Sequence, residues 1–319
     1  MGNNLPAKKY SAGQRTIRRL QFELDGDGTY YIDIAKALSA LNRRFYRQGL
    51  YYYINKVEFH ESTSEGIATA TFNILPDNWV TKNAWVRGFK MYQMLNARSK
   101  IPRNKYHDFK VRWSNGVDSY LNPVGIGSSY AGSEVGSTAT SKALPLIGAE
   151  WNLSEYVVPS EDEEDPGVHG GTDTMDIHVM GGHAGAAPNF TSYGLISGYA
   201  KTRATVDGES PDLDEVNAIL DPLDLAFNDG HKELAEVLVD ENEQPPYSIN
   251  DYPGESTVYH AQRAARLTTT SSSGVSRASG FCAPLGLLQL VTTGTAGAYA
   301  VTVELAPGPY HGVYAERVV

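Results

Sequence analysis

Apolar and polar residues alternate with a period of two in several separate segments of this chain. Between Gly66 and Leu75 one set of alternate positions is apolar, and Leu20, Phe22 and Leu24 follow the same rhythm near the start. Such alternation places one face of a strand against a core and the other against solvent. The sequence therefore predicts a mainly β protein. Further strands are predicted in Thr29–Ile34, Tyr51–Phe59, Phe109–Trp113, Tyr156–Val158, Met175–Met180, Tyr193–Val206, Val258–Leu267, Phe281–Val291 and Ala298–Leu305.

Two segments have helical spacing instead. Asn78 is a good N-cap for a helix from Trp79 to about Ala97, and the charged residues of this helix are all basic. Ser210 and Pro211 form a second start signal, since Pro is favoured at the first helical position. Leu213, Val216 and Leu220 follow this signal at helical spacing. We therefore expect one long helix in each half of the chain.

The order of these elements indicates an internal duplication. The two helix starts lie roughly 133 residues apart, and Ala143–Gly148 is echoed by Cys282–Leu287, with prolines 139 residues apart. Trp85, Phe89 and Tyr92 are expected to pack the first helix onto the first β domain. The predicted organisation is an extended arm at 1–14, a first jelly roll at 15–160, an acidic linker or loop at 161–170 and a second jelly roll at 171–319.

Charge is distributed unevenly over the chain, whose net charge is −10. Residues 1–113 have 19 Lys and Arg against 9 Asp and Glu, whereas residues 114–319 have 8 against 28. A basic surface in the first part would favour an anionic partner such as lipid head groups or nucleic acid. The basic residues expected to face that partner are Lys8, Lys9, Arg15, Arg18, Arg19, Lys82, Arg87 and Lys90.

One cluster has the residue types of a metal site. It comprises His169, Asp173, Asp176, His178 and His183. The spacing of its histidines, nine and then five residues, matches no helical metal-binding motif, and glycine pairs follow His169 and precede His183. We therefore expect polar loop residues, with no metal and no cofactor. Neither a phosphate-binding loop nor a nucleophile elbow is present, so the sequence predicts no enzyme.

Compartment and membrane topology follow from two further features. Cys282 is the single cysteine, which excludes a disulfide framework, and the basic start of the chain lacks the apolar stretch of a secretion signal. We expect folding in a reducing cytoplasm. No charged residue occurs from Ala278 to Val303, but a Thr/Gly cluster from Thr292 to Gly297 favours two strands around a turn over a membrane-spanning helix.

Four segments of the chain resemble the major capsid proteins of lipid-containing icosahedral bacteriophages, of the type that infects Flavobacterium. They are the Arg-Thr-Ile-Arg-Arg strand at residues 15–19, Leu75–Tyr92, Asp240–Tyr247 and Phe281–Leu288. The resemblance extends over most of the chain as scattered segments. None of these segments has a chemical mechanism of its own.

This resemblance implies a double jelly roll with a helix inserted in each barrel. It also implies a homotrimeric capsomer in an icosahedral virus shell over an internal membrane, with neighbouring capsomers and minor capsid or penton proteins as partners. The protein would be made in the host cytoplasm and reside in the virion capsid, and the family has no catalytic residues to transfer. The alternatives are a carbohydrate-binding or adhesin-type β-sandwich, a metal-dependent cupin-like enzyme, and a single jelly-roll coat protein with a projecting domain.

Overall fold

The described residues belong to two units that are interleaved along the chain. A computed structural model describes residues 16–61, 67–98, 108–124, 151–161, 169–186, 189–204, 261–270, 273–294 and 298–318. Unit 1 comprises residues 1–72, 119–150 and 264–317, and unit 2 comprises residues 73–118, 151–263 and 318–319. Each unit is therefore assembled from segments that are distant in sequence.

The regular elements, in chain order, are β1 (Arg19–Asp25), β2 (Gly28–Asp33), α1 (Ile34–Asn42), β3 (Leu50–Glu61), β4 (Thr69–Ile74), α2 (Trp79–Arg98), β5 (Arg112–Ser114), β6 (Glu155–Glu161), β7 (His169–Met180), β8 (Ala184–Ala186), β9 (Asn189–Gly194), α3 (Leu195–Ala204), β10 (Gln262–Thr268), β11 (Val275–Ser279), β12 (Cys282–Ala283), β13 (Leu287–Thr293), β14 (Ala298–Leu305) and β15 (Ala315–Arg317). A short 3-10 turn, Pro284–Gly286, separates β12 from β13. The predicted mainly β character is confirmed.

Unit 1 contains two sheets. The first has the strand order β1-β14-β3-β11, with β12 and β15 also paired to β3, and the second has the order β10-β4-β13-β2. The pairs β1–β14, β14–β3, β3–β11 and β13–β2 are antiparallel. The eight main strands of unit 1 are, in chain order, β1, β2, β3, β4, β10, β11, β13 and β14. The first of them pairs with the last, the second with the seventh, the third with the sixth and the fourth with the fifth. This arrangement is compatible with a jelly roll.

The strand pairing differs from the predicted division into consecutive domains. Strands before residue 75 share both sheets of unit 1 with strands after residue 261, so the described strands do not separate into jelly rolls at 15–160 and 171–319. Alternation predicts that a segment is a strand but carries no information about its partner. The strands on either side of the acidic segment, β6 and β7, pair in one sheet with Glu161 opposite His169. Residues 162–168 of that segment lie outside the described residues.

The core of unit 1 comes from the predicted alternation. In β1, Leu20, Phe22 and Leu24 are fully buried while the residues between them are exposed. The two aromatic rings of Phe59 and Tyr299 lie 5.3 Å apart between centroids in the first sheet. Because each methylene removed from water contributes about 0.8 kcal/mol, these side chains are a main source of stability for the unit.

Helix α1 was not predicted, although its start signal is present in the sequence. The Oδ1 atom of Asp33 accepts a hydrogen bond from the backbone N–H of Lys36 at 3.0 Å, as an N-cap residue does. The helix ends at Arg43, which adopts a left-handed conformation with φ of 52°. The strand pattern of Thr29–Ile34 therefore ends one residue earlier than predicted.

Unit 2 has a different architecture. Its sheet has the order β5-β7-β9-β8, with β6 also paired to β7, and the β5–β7 and β7–β9 pairs are parallel. Helix α2 confirms the predicted helix, and the Oδ1 atom of Asn78 caps it by accepting a hydrogen bond from Thr81 N at 2.8 Å. The second predicted helix, at Leu213–Leu220, lies outside the described residues.

The aromatic residues of helix α2 pack within unit 2: Trp85 and Phe89 stack at 5.1 Å, and Tyr92 lies 5.1 Å from Phe109. One strand prediction in this unit was wrong. The segment from Tyr193 to Val206, predicted as a strand, contains α3. Leu195, Ile196 and Tyr199 of α3 are buried, so the packing of one helix face overrides the preference of Ile196 and Tyr199 for strands.

Replacing Trp85 with Ala is expected to lower the free energy of unfolding by about 3–5 kcal/mol, because the indole is buried among aromatic rings. Urea denaturation monitored by circular dichroism measures the change. Trp79→Ala is a matched control, since Trp79 lies on the same helix but is 38% exposed. Equal stability of Trp85→Ala and wild type would contradict the packing described here.

Candidate functional site

Of the predicted basic residues, Arg18 and Arg19 belong to unit 1, and Lys82, Arg87 and Lys90 belong to unit 2. Lys8, Lys9 and Arg15 lie outside the described residues. Arg18 donates a hydrogen bond from Nη1 to the carbonyl oxygen of Leu305 at 3.3 Å, within unit 1. Arg18 therefore ties the residue before β1 to the end of β14.

Arg19 belongs to a charge cluster around Glu58 on one face of the first sheet. The carboxylate of Glu58 lies 3.0 Å from Arg19 Nη2, 3.0 Å from Lys56 Nζ and 2.8 Å from Arg277 Nε. His60 Nε2 is 3.7 Å away. Although its residue is buried, the pKa of the Glu58 carboxyl is lowered, chiefly by the hydrogen bond from Lys56 and then by the neighbouring positive charges. The cluster links β1, β3 and β11 through one anion.

The other predicted basic residues lie on α2 in unit 2. Lys82 Nζ is 3.4 Å from Asp77 Oδ1, and the guanidinium of Arg87 lies 5.2 Å from the centre of the Tyr199 ring. Lys90 is exposed. The structure thus brings Lys82, Arg87 and Lys90 together on one helix, while Arg18 and Arg19 belong to the other unit.

His178 belongs to the strand predicted at Met175–Met180, although its cluster was expected to consist of polar loop residues. It lies in β7 with 0% exposure, and its Nδ1 atom is 2.6 Å from the hydroxyl of Ser192 in β9. Its Nε2 atom is 3.0 Å from the carbonyl oxygen of Gly182. A carbonyl only accepts, so Nε2 holds a proton. Burial lowers the pKa of His178 and favours the neutral ring, in which Nδ1 accepts a hydrogen bond from Ser192. His178 therefore connects β7 to β9 and to the following turn as a neutral imidazole.

Of the other members of the predicted histidine cluster, His183 and Asp176 have described side chains, and each has a partner other than His178. His183 Nδ1 accepts a hydrogen bond from the backbone N–H of Gly194 at 3.1 Å. The side chains of His169 and Asp173 fall outside the described part of the chain. Over the ranges that are described, no three His, Cys, Asp or Glu side chains form a group that could hold a metal ion.

An arginine that sequence reasoning missed organises the charges of this sheet. Arg112 in β5 donates from Nε to Asp118 Oδ1 at 2.9 Å, and its Nη1 atom lies 2.8 Å from Asp176 Oδ1. Arg112 is opposite His178 in the parallel ladder. Burial is the main cause that lowers the pKa of His178, and the positive charge of Arg112 acts in the same direction. Both effects favour the neutral imidazole.

A cavity of about 680 Å³ lies in unit 2 beside these residues. Its walls come from the second half of α2, the β5 strand and the segment at 151–155. The lining residues that concern its chemistry are Tyr92, Asp108, Lys110, Asp118, Trp151 and Glu155. Aromatic rings and both signs of charge therefore meet in one concave site, which no motif in the sequence marks.

The segment at 151–155 is held in place by hydrogen bonds to the neighbouring chain. The backbone N–H of Ser154 donates to the carbonyl of Lys110 at 2.7 Å, and the Ser154 hydroxyl accepts from Lys110 N at 2.9 Å. The Lys110 ammonium lies 4.5 Å from the centre of the Trp151 ring, a cation–π distance. The only sequence signal for this site is the set of charged residues at alternate positions, Asp108, Lys110 and Arg112, that leads into β5.

Comparison with protein-family models, with curated protein sequences and with solved structures found no match for this chain. In the part of the chain with a described structure, no helix combines the length and apolar character needed to cross a membrane. The function is therefore inferred from the strand order and from the sites above.

Acid is expected to destabilise unit 2 through His178. The pKa of this imidazole is lower in the folded protein than the unfolded value of about 6.5, so the unfolded state binds more protons as the pH falls. Stability is complete above about pH 6.5 and decreases below it, by at most about 1.4 kcal/mol per pH unit for one proton. Urea unfolding at several pH values between 7.5 and 5.5 measures this slope.

The slope should be reduced in His178→Asn, which cannot titrate in this range. His60→Asn serves as the control, since His60 is partly exposed in the other unit. Identical pH dependence of wild type and His178→Asn would refute the assignment.

Proposed function

We propose that this chain is a major capsid protein that assembles with itself into an icosahedral shell. The observation that carries the proposal is the strand order of unit 1, in which four nested pairs link the first strand to the last. A jelly roll consists of eight strands arranged as two Greek keys, and viral capsid proteins are one of the main groups of proteins with this fold. The proposal rests on fold analogy, so it requires a direct assembly test.

A single jelly roll with an inserted second unit accounts for the chain better than a double jelly roll. Most of unit 2 is inserted between β4 and β10, the fourth and fifth strands of the roll. The described sheet of unit 2 contains parallel pairs, which the antiparallel jelly roll lacks. We propose that unit 2 is the variable part of the subunit and that unit 1 forms the shell.

The interior of unit 1 favours a structural role over a cupin-like metalloenzyme. A cupin binds its metal inside the barrel, which requires polar ligands there. Phe22, Phe59 and Phe72 instead fill this interior with fully buried rings. Packed aromatic cores of this kind provide rigidity and leave the outer surfaces for contacts between subunits.

The uneven charge supports a shell with an anionic interior partner. Residues 78–107 contain seven Lys and Arg and no acid, and the first 19 residues contain five with no acid. Each Lys or Arg near an anionic surface contributes about 1 kcal/mol. We propose that these segments face packaged nucleic acid or an internal lipid membrane. The partners are then further copies of the chain, as trimeric capsomers, together with minor capsid or penton proteins.

Removal of residues 1–13 is expected to leave the subunit folded but to impair shell assembly, because two of the five positive charges near the start, Lys8 and Lys9, are lost. Size-exclusion chromatography with light scattering and negative-stain microscopy of the purified protein measure oligomer and particle formation. The full chain should form trimers and uniform particles, and the truncated chain should form trimers with few particles.

A matched variant replaces Lys8 and Lys9 with Gln in the full-length chain. If charge rather than chain length matters, this variant should assemble as poorly as the truncation. A wild-type protein that remains monomeric at all protein and salt concentrations tested would overturn the capsid proposal. Normal particle yield from the truncated chain would overturn the role of the arm.

A further inference from the structure

We propose that the cavity of unit 2 is a binding site for a neutral oligosaccharide. The site lies wholly within unit 2. This inference does not depend on shell formation, because it rests on the lining of one cavity. A capsid protein with such a site would recognise glycans on a cell surface.

The walls supply the two kinds of contact that a sugar requires. Tyr92 and Trp151 offer aromatic surface, against which the C–H-rich face of a sugar ring packs. Asp108, Asp118 and Glu155 supply carboxylate oxygens, which accept hydrogen bonds from hydroxyl groups. A polyhydroxylated ring with one apolar face matches this combination of aromatic and acceptor groups.

The geometry of the site is fixed before any ligand binds. Two hydrogen bonds between Ser154 and Lys110 hold the wall that includes Trp151 against the β5 region. Arg112 holds Asp118 through a hydrogen bond of 2.9 Å, although the Asp118 side chain is largely exposed. Tyr92 is positioned by its contact with the ring of Phe109. Such preorganisation reduces the entropy lost when a ligand binds.

The charged residues of the cavity lining favour a neutral ligand over an anionic or a cationic one. The lining includes three carboxylates, from Asp108, Asp118 and Glu155, against the cations of Lys110 and Arg112. This excess of one negative charge disfavours anions. A cationic ligand is disfavoured as well, because the Lys110 ammonium lies 4.5 Å from the centre of the Trp151 ring and its charge repels a second cation there.

The size of the cavity also suits this class of ligand. A volume of about 680 Å³ falls within the range of about 300–1,000 Å³ that is usual for small-molecule sites. The cavity therefore accommodates more than one sugar ring, and we expect oligosaccharides to bind more tightly than monosaccharides.

The test uses the full-length protein on a printed array of neutral and sialylated oligosaccharides, followed by calorimetric titration with maltotriose, cellotriose and chitotriose. We expect binding to neutral glycans on the array and to at least one of the three trisaccharides. Trp151→Ala should weaken that binding by about tenfold or more, as loss of a central aromatic contact does. Trp79→Ala is the matched control, because Trp79 belongs to the same unit but does not line the cavity, and its affinity should stay within about twofold of wild type.

A second variant guards against loss of the fold. Asn152→Ala changes an exposed lining residue, and its melting temperature should match wild type while its glycan affinity falls. Absence of neutral-glycan binding, binding only to sialylated glycans, or unchanged affinity in both Trp151→Ala and Asn152→Ala would overturn the proposal. Particle formation is measured separately, so a protein that binds glycans but forms no particles refutes only the capsid function.

Discussion

The pairing of the last long strand with both the first and the third strand is the interaction on which unit 1 depends. Val301 of β14 lies opposite Phe22 of β1 on one side and Phe59 of β3 on the other. All three side chains are fully buried. This row joins residues from the two ends of the chain into one layer of core. Without β14, β1 and β3 would each lack a partner on the edge that now forms the centre of the sheet.

The neighbouring row of residues in the same sheet is charged rather than apolar. Glu58 follows Val57 and precedes Phe59, so its side chain projects from the face opposite the core. Arg277 of β11 is its direct neighbour in the ladder, and Arg19 reaches it from β1. Since strand side chains alternate between faces, a shift of one residue would place this carboxylate in the apolar layer. The charge cluster and the apolar row together therefore specify the strand register.

The sequence correctly predicted those strands and helices whose formation depends on residues close together in the chain. Alternation located β1, β4 and β14, and the Asn78 cap located α2. The N-cap residue of α1, Asp33, is an equally clear helix start signal. It directly follows a strand pattern, however, and the helix was not predicted. Helix α3 could not be predicted, because Ile196 and Tyr199 favour strands and become helical only through packing.

Strand partners and the cavity could not be predicted for a related reason. Two internal similarities in the sequence predicted tandem domains, whereas the observed strand pairs of unit 1 connect strands from opposite ends of the chain. Pairing is decided by the complementarity of whole faces, which a single segment does not encode. Likewise, Trp151 and Lys110 meet across 40 residues of chain, most of which lie outside the described residues. A chemical site made from such distant segments leaves no motif.

The insertion has a consequence for synthesis on the ribosome. Strands β1 to β4 are complete at Ile74, but β10 begins only after the 187 residues from 75 to 261 have been made. At about 5–20 residues per second, the first four strands wait roughly 10–40 s for their partners. During that time their open edges can pair with another nascent chain. Most of unit 2, by contrast, has already been translated before β10 appears, so it can fold while unit 1 remains incomplete. The order of translation thus makes the inserted unit the earlier-folding part and exposes the strands of unit 1 to chaperones and to neighbouring copies.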